Sequence, residues 1–175
     1  MNDPRGIQTH DHFFEDDGRI PNNNPTLPLL VYPQALSEAE REASRCRALL
    51  AENGWGGAWV DGVLSYHHYH SVSHEVLCVV GVAARVTFGG PEGETLEVRA
   101  GDVVVIPAGV GHCNEGSDGA FSVVGAYPHG QENYDLRTGE PGERPGVLEN
   151  LRNVPVPESD PLLGEEEPLL RHWIR

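Results

Sequence analysis

From Trp55 onward the chain reads as short runs that either alternate in polarity or are almost wholly β-branched and apolar: GWGGAWVDGVLSYHHYH, EVLCVVGVAARVTFGG, TLEVRA, GDVVVIPAG and AFSVVGAYP. Glycine-rich turns such as GGPEGE and NEGSDG separate them. Period-two alternation marks strands with a buried face, and this spacing predicts an antiparallel barrel or sandwich over 55–132. The preceding pattern is different. Ala39, Ala43, Cys46, Leu49 and Leu50 recur at spacings of three and four, Ser37 and Glu40 have the spacing of a capping box, and Asn53 and Gly54 supply a stop. A single helix is therefore expected over 37–53. Residues 1–36 form an N-terminal arm in which Pro21, Pro25 and Pro28 exclude a helix and LPLLVY reads as an edge strand. Beyond Pro128 the chain is charged and proline-broken. Over 133–175 it is expected to be an extension that packs Leu162, Leu163, Leu169, Leu170 and Trp173 back onto the barrel.

At 175 residues the chain suits one domain with a sizeable core, and its 21 glycines and 14 prolines suit turns and strands better than a helical bundle. The 27 acidic residues outnumber 12 basic ones, all arginine, for a formal charge of -15. Such a field repels phosphate backbones and anionic lipid, so no nucleic-acid or membrane partner is expected. Without lysine, Schiff-base chemistry is excluded. The first residues lack the basic start and apolar run of a signal peptide, and a cytoplasmic location is the default expectation. Cys46, Cys78 and Cys113 have no paired spacing and read as reduced thiols, with Cys113 near a histidine of chemical interest.

That interest centres on YHHYHSVSHE, Tyr66 to Glu75, which holds four of the nine histidines in eight positions. On a strand, His68 and His70 share one face, while His67 and Tyr69 take the other. If the shared face lines a barrel interior, two imidazoles enter one cavity. Glu75 follows after a short turn, with His74 pointing away, and GDVVVIPAGVGH delivers His112 after a tight turn and an apolar strand. Three imidazoles and one carboxylate suit a divalent transition ion, with coordination positions left for water, substrate or oxygen. A hydrogen-bonded polar cluster without metal is the alternative. Tyr66 shares the parity of His68, and Tyr127 shares a face with Phe121, Val123 and Gly125; both are candidates to donate a proton in the cavity, with core filling as the plainer role. Trp55 and Trp59 are expected in the core, and His67, Tyr69 and His74 in packing, hydrogen bonds or a subunit contact.

These stretches resemble the cupin superfamily. Its first motif, G-x5-H-x-H-x3,4-E-x6-G, is matched by Gly62, His68, His70 and Glu75, and its second, G-x5-P-x-G-x2-H-x3-N, by Gly101, Pro107, Gly109 and His112. Two positions depart: Val82 stands where the first motif ends in glycine, with Gly81 one place early, and Asn114 follows His112 too closely. FEDDGRIPNN, LPLLVY, NGWGGAW, HHYHSVSHEVL and VVGAYPHGQ are further similar to the YjlB-like branch of single-domain cupins. The resemblance implies an all-β jelly-roll barrel, the double-stranded β-helix, with one N-terminal helix and extended arms. It implies one divalent metal per chain on His68, His70, Glu75 and His112, with Fe(II) or Mn(II) favoured over Ni, Zn or Cu, and a homodimer. It does not supply a reaction. Three neutral imidazoles and a carboxylate leave a divalent site with about one positive charge, so a small anionic or enolisable molecule is the expected ligand. An enzyme of dioxygenase, isomerase or decarboxylase type and a non-catalytic small-molecule or metal-binding module both fit.

Overall fold

The computed structural model describes residues 6–24, 26–165 and 168–173; Pro25 and the first five residues of the arm lie outside these. Nine strands form two antiparallel sheets. The strands are β1 (His10–His12), β2 (Leu29–Tyr32), β3 (Trp55–Asp61), β4 (Glu75–Gly81), β5 (Ala83–Phe88), β6 (Glu94–Arg99), β7 (Val103–Ile106), β8 (His112–Ser117) and β9 (Ser122–Pro128). The larger sheet runs β1-β2-β7-β4-β9-β3 and the smaller β6-β5-β8.

The large sheet is buried on both faces, which explains why its central strands read EVLCVVG and VVVI rather than alternating with polar residues. Leu77, Val79, Val104, Ile106 and Val123 point between the sheets and meet Ala84, Val86, Phe88 and Val98 of the small sheet. Val76, Cys78, Val103, Val105, Val124 and Ala126 point outward, under Cys46 and Leu50 of helix α1 (Ala43–Glu52) and under Leu162, Leu169 and Trp173 of the C-terminal extension. That extension also carries α2 (Gly146–Asn153) and a single turn, α3 (Leu169–His172), so the N-terminal helix is not alone. Trp173 is fully buried and its Nε1–H donates to the Pro28 carbonyl at 2.9 Å, tying the two arms together. No helix among the described residues is long and apolar enough to cross a membrane.

Three local expectations shift. The Ser37–Glu40 box forms, with Ser37 N–H donating to Glu40 Oε1 at 2.9 Å and Glu40 N–H to Ser37 Oγ at 3.3 Å, but it closes a 3-10 turn over Ala39–Arg41. Glu42 is extended (ψ 129°), and the α-helix starts only at Ala43. LPLLVY forms β2, but β1 pairs outside it and takes the edge. The third shift is β8: NEGSDG reads as a turn, yet His112–Ser117 is a strand, because β5 supplies its backbone partners and leaves Glu115, Gly116 and Ser117 exposed at the sheet edge.

Between β4 and β5 the chain leaves one sheet for the other, and Val82 turns that corner at φ 44°. Gly81 has no room for a side chain, since a Cβ there would lie 2.7 Å from the Ala120 carbonyl. A β-branched residue in the left-handed region is strained. Val82 is also 42% exposed, so its side chain returns little burial. Val82→Gly is expected to stabilise the protein by about 1 kcal/mol, the relief of left-handed strain less the added entropy of glycine in the unfolded chain. The check is a rise in the urea midpoint at unchanged slope.

Candidate metal centre

Glu75 opens β4 with the inward parity of Leu77 and Val79, opposite Ile106 of β7. His112 opens β8 beside Phe88, again facing inward. His68 and His70 do not sit on a strand. Their segment is a strut held on two sides: His68 and His112 exchange backbone hydrogen bonds at 3.2 and 2.9 Å, and Tyr69 and Arg137 exchange theirs at 2.9 Å each. Gly109 N–H donates to the His70 carbonyl at 2.8 Å. Over so short a strut the alternation survives locally, so His68 and His70 reach the cavity while Tyr69 packs behind on Ile20 and Val147.

Each cavity imidazole gives its Nδ1–H to a backbone carbonyl: His68 to Tyr66 at 2.8 Å, His112 to Val110 at 3.3 Å, and His70 to Asp135 in a short bond. Those carbonyls fix the tautomer and leave each Nε2 with a lone pair. Glu75 Oε1 lies 3.3 Å from His112 Nε2 and 3.5 Å from His70 Nε2, and it is buried with no hydrogen-bond partner. Three acceptors thus face one another with no donor between them. A cation satisfies that arrangement: bonds of about 2.1 Å put neighbouring donors about 3 Å apart. His70, Glu75 and His112 offer ligand atoms within 4.8 Å of one another.

Of the four residues expected to ligate, the structure brings these three together and sets His68 beside them. Its ring centroid is 4.1 Å from that of His112 and 6.1 Å from that of His70, and its nitrogens do not join the group. The electrostatics match this placement. Without a cation, burial pushes the Glu75 carboxyl up, but a proton taken up between it and the Nε2 atoms of His70 and His112 outweighs this and holds the group well below the carboxylate range. Burial pulls His70 down, and the Glu75 charge more than reverses this. For His68 the compensation is too weak: burial first, then repulsion from His112, outweigh the Tyr66 carbonyl and the Glu75 charge and lower it to about 3.

The two tyrosines part company. Tyr127 lines the cavity, with Trp59 Nε1–H donating to its oxygen at 2.8 Å. Burial, then the Glu75 charge, keep its phenol protonated far above the ordinary range. Tyr66 does not line the cavity: it is 46% exposed, edge-on to His68 at 5.7 Å, because strand parity does not extend back along the irregular strut. Trp55 is in the core as expected, whereas Trp59 is a cavity wall, its ring seated over Gly125, where a Cβ would fall 2.3 Å from it. His74 turns away, accepting from Ala108 N–H at 2.9 Å and packing on Trp173 at 4.8 Å.

Sequence reasoning missed Tyr134, Asp135 and Leu136, which come from the stretch read as a charged extension. Tyr134 stacks on Tyr127 (4.4 Å, 20°) and meets His70 edge-on at 5.2 Å. The Asp135 carboxylate accepts from Ser71 N–H at 2.7 Å, from Ser71 Oγ–H and from Arg137 Nε at 2.8 Å, while its own carbonyl takes the His70 proton. The cavity has a volume of about 290 Å³, with Trp59, Val63, Leu64, Leu77 and Leu136 as apolar walls.

A double-sheet barrel with imidazoles and a carboxylate converging in one cavity is the architecture of a small barrel whose interior residues could hold a metal ion. The sequence profile described as Cupin matches residues 61–140. The uncharacterized protein YjlB of Bacillus subtilis (strain 168) is 42% identical over 168 residues, covering 96% of this chain and 98% of that one. The chain belongs to the cupin superfamily, in its YjlB-like branch. Among solved structures, acireductone dioxygenase from Bacillus anthracis, with a cadmium ion in its active centre, aligns over 73% of this chain and 80% of its own at 17% identity and a TM-score of 0.38. A deletion mutant of Bacillus subtilis oxalate decarboxylase aligns over 63% of this chain and 23% of its own at 18% identity and a TM-score of 0.34.

The depressed His68 sets a pH dependence. Its contribution to stability is fully present above the ordinary value of 6.5 and is lost as pH falls towards about 3, because the unfolded chain takes up a proton that the folded chain refuses. His70 runs the other way: its contribution is present below 6.5 and fades as pH rises through the raised value. In metal-free protein, His68→Gln should flatten the acid limb of stability against pH by up to about 1.4 kcal/mol per pH unit. Urea unfolding of both proteins across that range measures the difference, and parallel curves would contradict the assignment.

Proposed function

We propose that the chain is a metal-dependent cupin enzyme that holds one divalent transition ion on His70, Glu75 and His112, with His68 at its side as the fourth donor that the family motif implies. The reading is carried by one observation, the buried and unpartnered Glu75 Oε1 facing the Nε2 atoms of His70 and His112. Mixed imidazole and carboxylate donors suit Fe(II) or Mn(II) and also bind Ni, Zn or Cu. Bound there, the ion would supply Lewis acidity and a seat for an anionic oxygen.

The protein's own residues would do the rest. The apolar walls exclude water and accept a small hydrocarbon body, and the stacked Tyr127–Tyr134 pair offers a flat face. Since Trp59 occupies the Tyr127 oxygen as a donor, the phenolic proton is left for Glu75 or for a bound oxygen. Tyr127 is therefore a hydrogen-bond donor rather than a base. The substrate class that fits is a small carboxylic acid, keto acid or phenol able to chelate through oxygen. In a second reading such a molecule is held in the same cavity without turnover, its oxygen accepting from the Tyr127 phenol.

Elemental analysis of protein purified without a metal-affinity column should find a first-row divalent ion that His70→Ala/His112→Ala loses while the barrel stays folded by circular dichroism. Metal content unchanged in that double variant rules out this centre. For the loaded protein, Tyr127→Phe should lower kcat with a panel of small acids and phenols by about a hundredfold, as loss of a positioned donor does. Saturable binding without turnover across the panel assigns the second reading.

A further inference from the structure

The backbone bridge that brings His68 and His112 together has a second side. In an antiparallel pair the residue before one partner stands opposite the residue after the other, so the bridge sets His67 against Cys113. Because His68 and His112 face the cavity, these neighbours face away from it. Glu115, two residues further along β8, shares the face of Cys113. One donor atom from each of His67, Cys113 and Glu115 lies within 4.8 Å of the other two.

The cluster differs from a scatter of surface polar groups in what it leaves unmet. His67 Nε2 is 3.8 Å from Glu115 Oε1, beyond hydrogen-bond reach, and His67 Nδ1 is buried with no partner. No protein group ties the ring down, so either nitrogen is available as a donor. Cys113 is 4% exposed; its thiol reaches the Asn114 carbonyl only at 3.8 Å and lies beside Glu115, and burial, then that carboxylate, raise it to about 11. The other thiols, Cys46 and Cys78, lie in the apolar core beneath α1, far from this face of the small sheet. An imidazole, a thiolate and a carboxylate are together a borderline-soft donor set, and their two negative charges balance a dication.

We propose that His67, Cys113 and Glu115 form a second cation site, for a thiophilic divalent ion of the zinc class, on the outer wall of the barrel behind the Glu75 centre. Binding releases the thiol proton to solvent and forms a metal–sulfur bond, with water at the open fourth position. The site uses none of the residues of the Glu75 centre and does not depend on the function proposed above.

Cobalt(II) is the probe, because a cobalt–thiolate bond gives a near-ultraviolet charge-transfer band that nitrogen and oxygen donors do not. Titration of the full chain, stripped with a chelator under reducing conditions, should raise that band to a plateau corresponding to one thiolate-bound ion per chain, reached within two added equivalents because the Glu75 centre takes up cobalt as well. Cys113→Ser should abolish it, His67→Ala and Glu115→Gln should each weaken cobalt affinity by about tenfold or more, and Cys46→Ala/Cys78→Ala should leave it unchanged. In His70→Ala/His112→Ala the band should persist, which separates failure of this site from failure of the other. Absence of the band at saturating cobalt, or its survival in Cys113→Ser, overturns the proposal. Should Cys113→Ser misfold by circular dichroism, unchanged affinity in both His67→Ala and Glu115→Gln overturns it equally.

Discussion

The structure turns on a buried carboxylate set among imidazole nitrogens, with one oxygen that no protein hydrogen bond satisfies. Glu75 is buried at the end of a strand, and the imidazoles beside it have been stripped of the one proton each could have offered. Backbone carbonyls from Tyr66, Val110 and Asp135 hold the Nδ1 protons, so the Nε2 lone pairs turn inward together. An unpaired buried acceptor costs about 1–3 kcal/mol, and a cluster of acceptors multiplies the penalty through mutual repulsion. A protein tolerates that only if something positive completes the group. The barrel below can therefore be read as the support that keeps three carbonyls from three separate loops in register.

The support is visible in the hydrogen bonds that join those loops. Gly109, at φ 90°, donates to the His70 carbonyl and accepts from Asn22 N–H at 2.8 Å, which locks the second motif's turn between the histidine strut and the N-terminal arm. Asn22 in turn donates to the carbonyls of Glu15 and Gly89 and accepts from Gly111 N–H. On the other side Asp135 gathers Ser71 and Arg137, and Asn150 of α2 donates to Ser71 Oγ at 3.0 Å. The C-terminal extension thus fixes the His70 tautomer through the Asp135 carbonyl, and the N-terminal arm braces the Gly109 turn on which the His70 carbonyl rests, while barrel loops supply the Tyr66 and Val110 carbonyls for His68 and His112.

This division explains what could be read in the sequence. EVLCVVG and VVVI announce themselves because burial on both faces leaves no polar interruption, and Glu75 stands out as an acid that opens such a strand. His68 and His70 are legible through their spacing, although the strand that the spacing suggests is a two-bridge strut. HCNEGS was illegible as a strand because half of it lies at an exposed edge, where polarity is no obstacle to pairing. Tyr134 and Asp135 carry no periodic signal at all. An aromatic and an acid in a polar loop look solvated until the fold lays that loop across the cavity mouth, and their role depends on contacts more than fifty residues away in sequence.

Charge then decides what kind of molecule such a site can use. The chain's formal charge of -15 works against the approach of an anion, yet at physiological ionic strength that repulsion is screened beyond about 8 Å. With a divalent ion on the proposed centre the sign inside the cavity would reverse, because its charge outweighs the single carboxylate of Glu75 and the apolar walls of Trp59, Val63, Leu64 and Leu77 reduce the screening. The exterior therefore filters by distance and the interior by chemistry. A polyanion would have to lay many charges along that surface, whereas the proposed ligand, a small acid with one or two oxygens and a compact apolar body, would cross the repulsive zone once and meet the positive charge of a bound ion. Tyr127, kept protonated by burial first and by the Glu75 charge second, would be the group to tell such an oxygen from water.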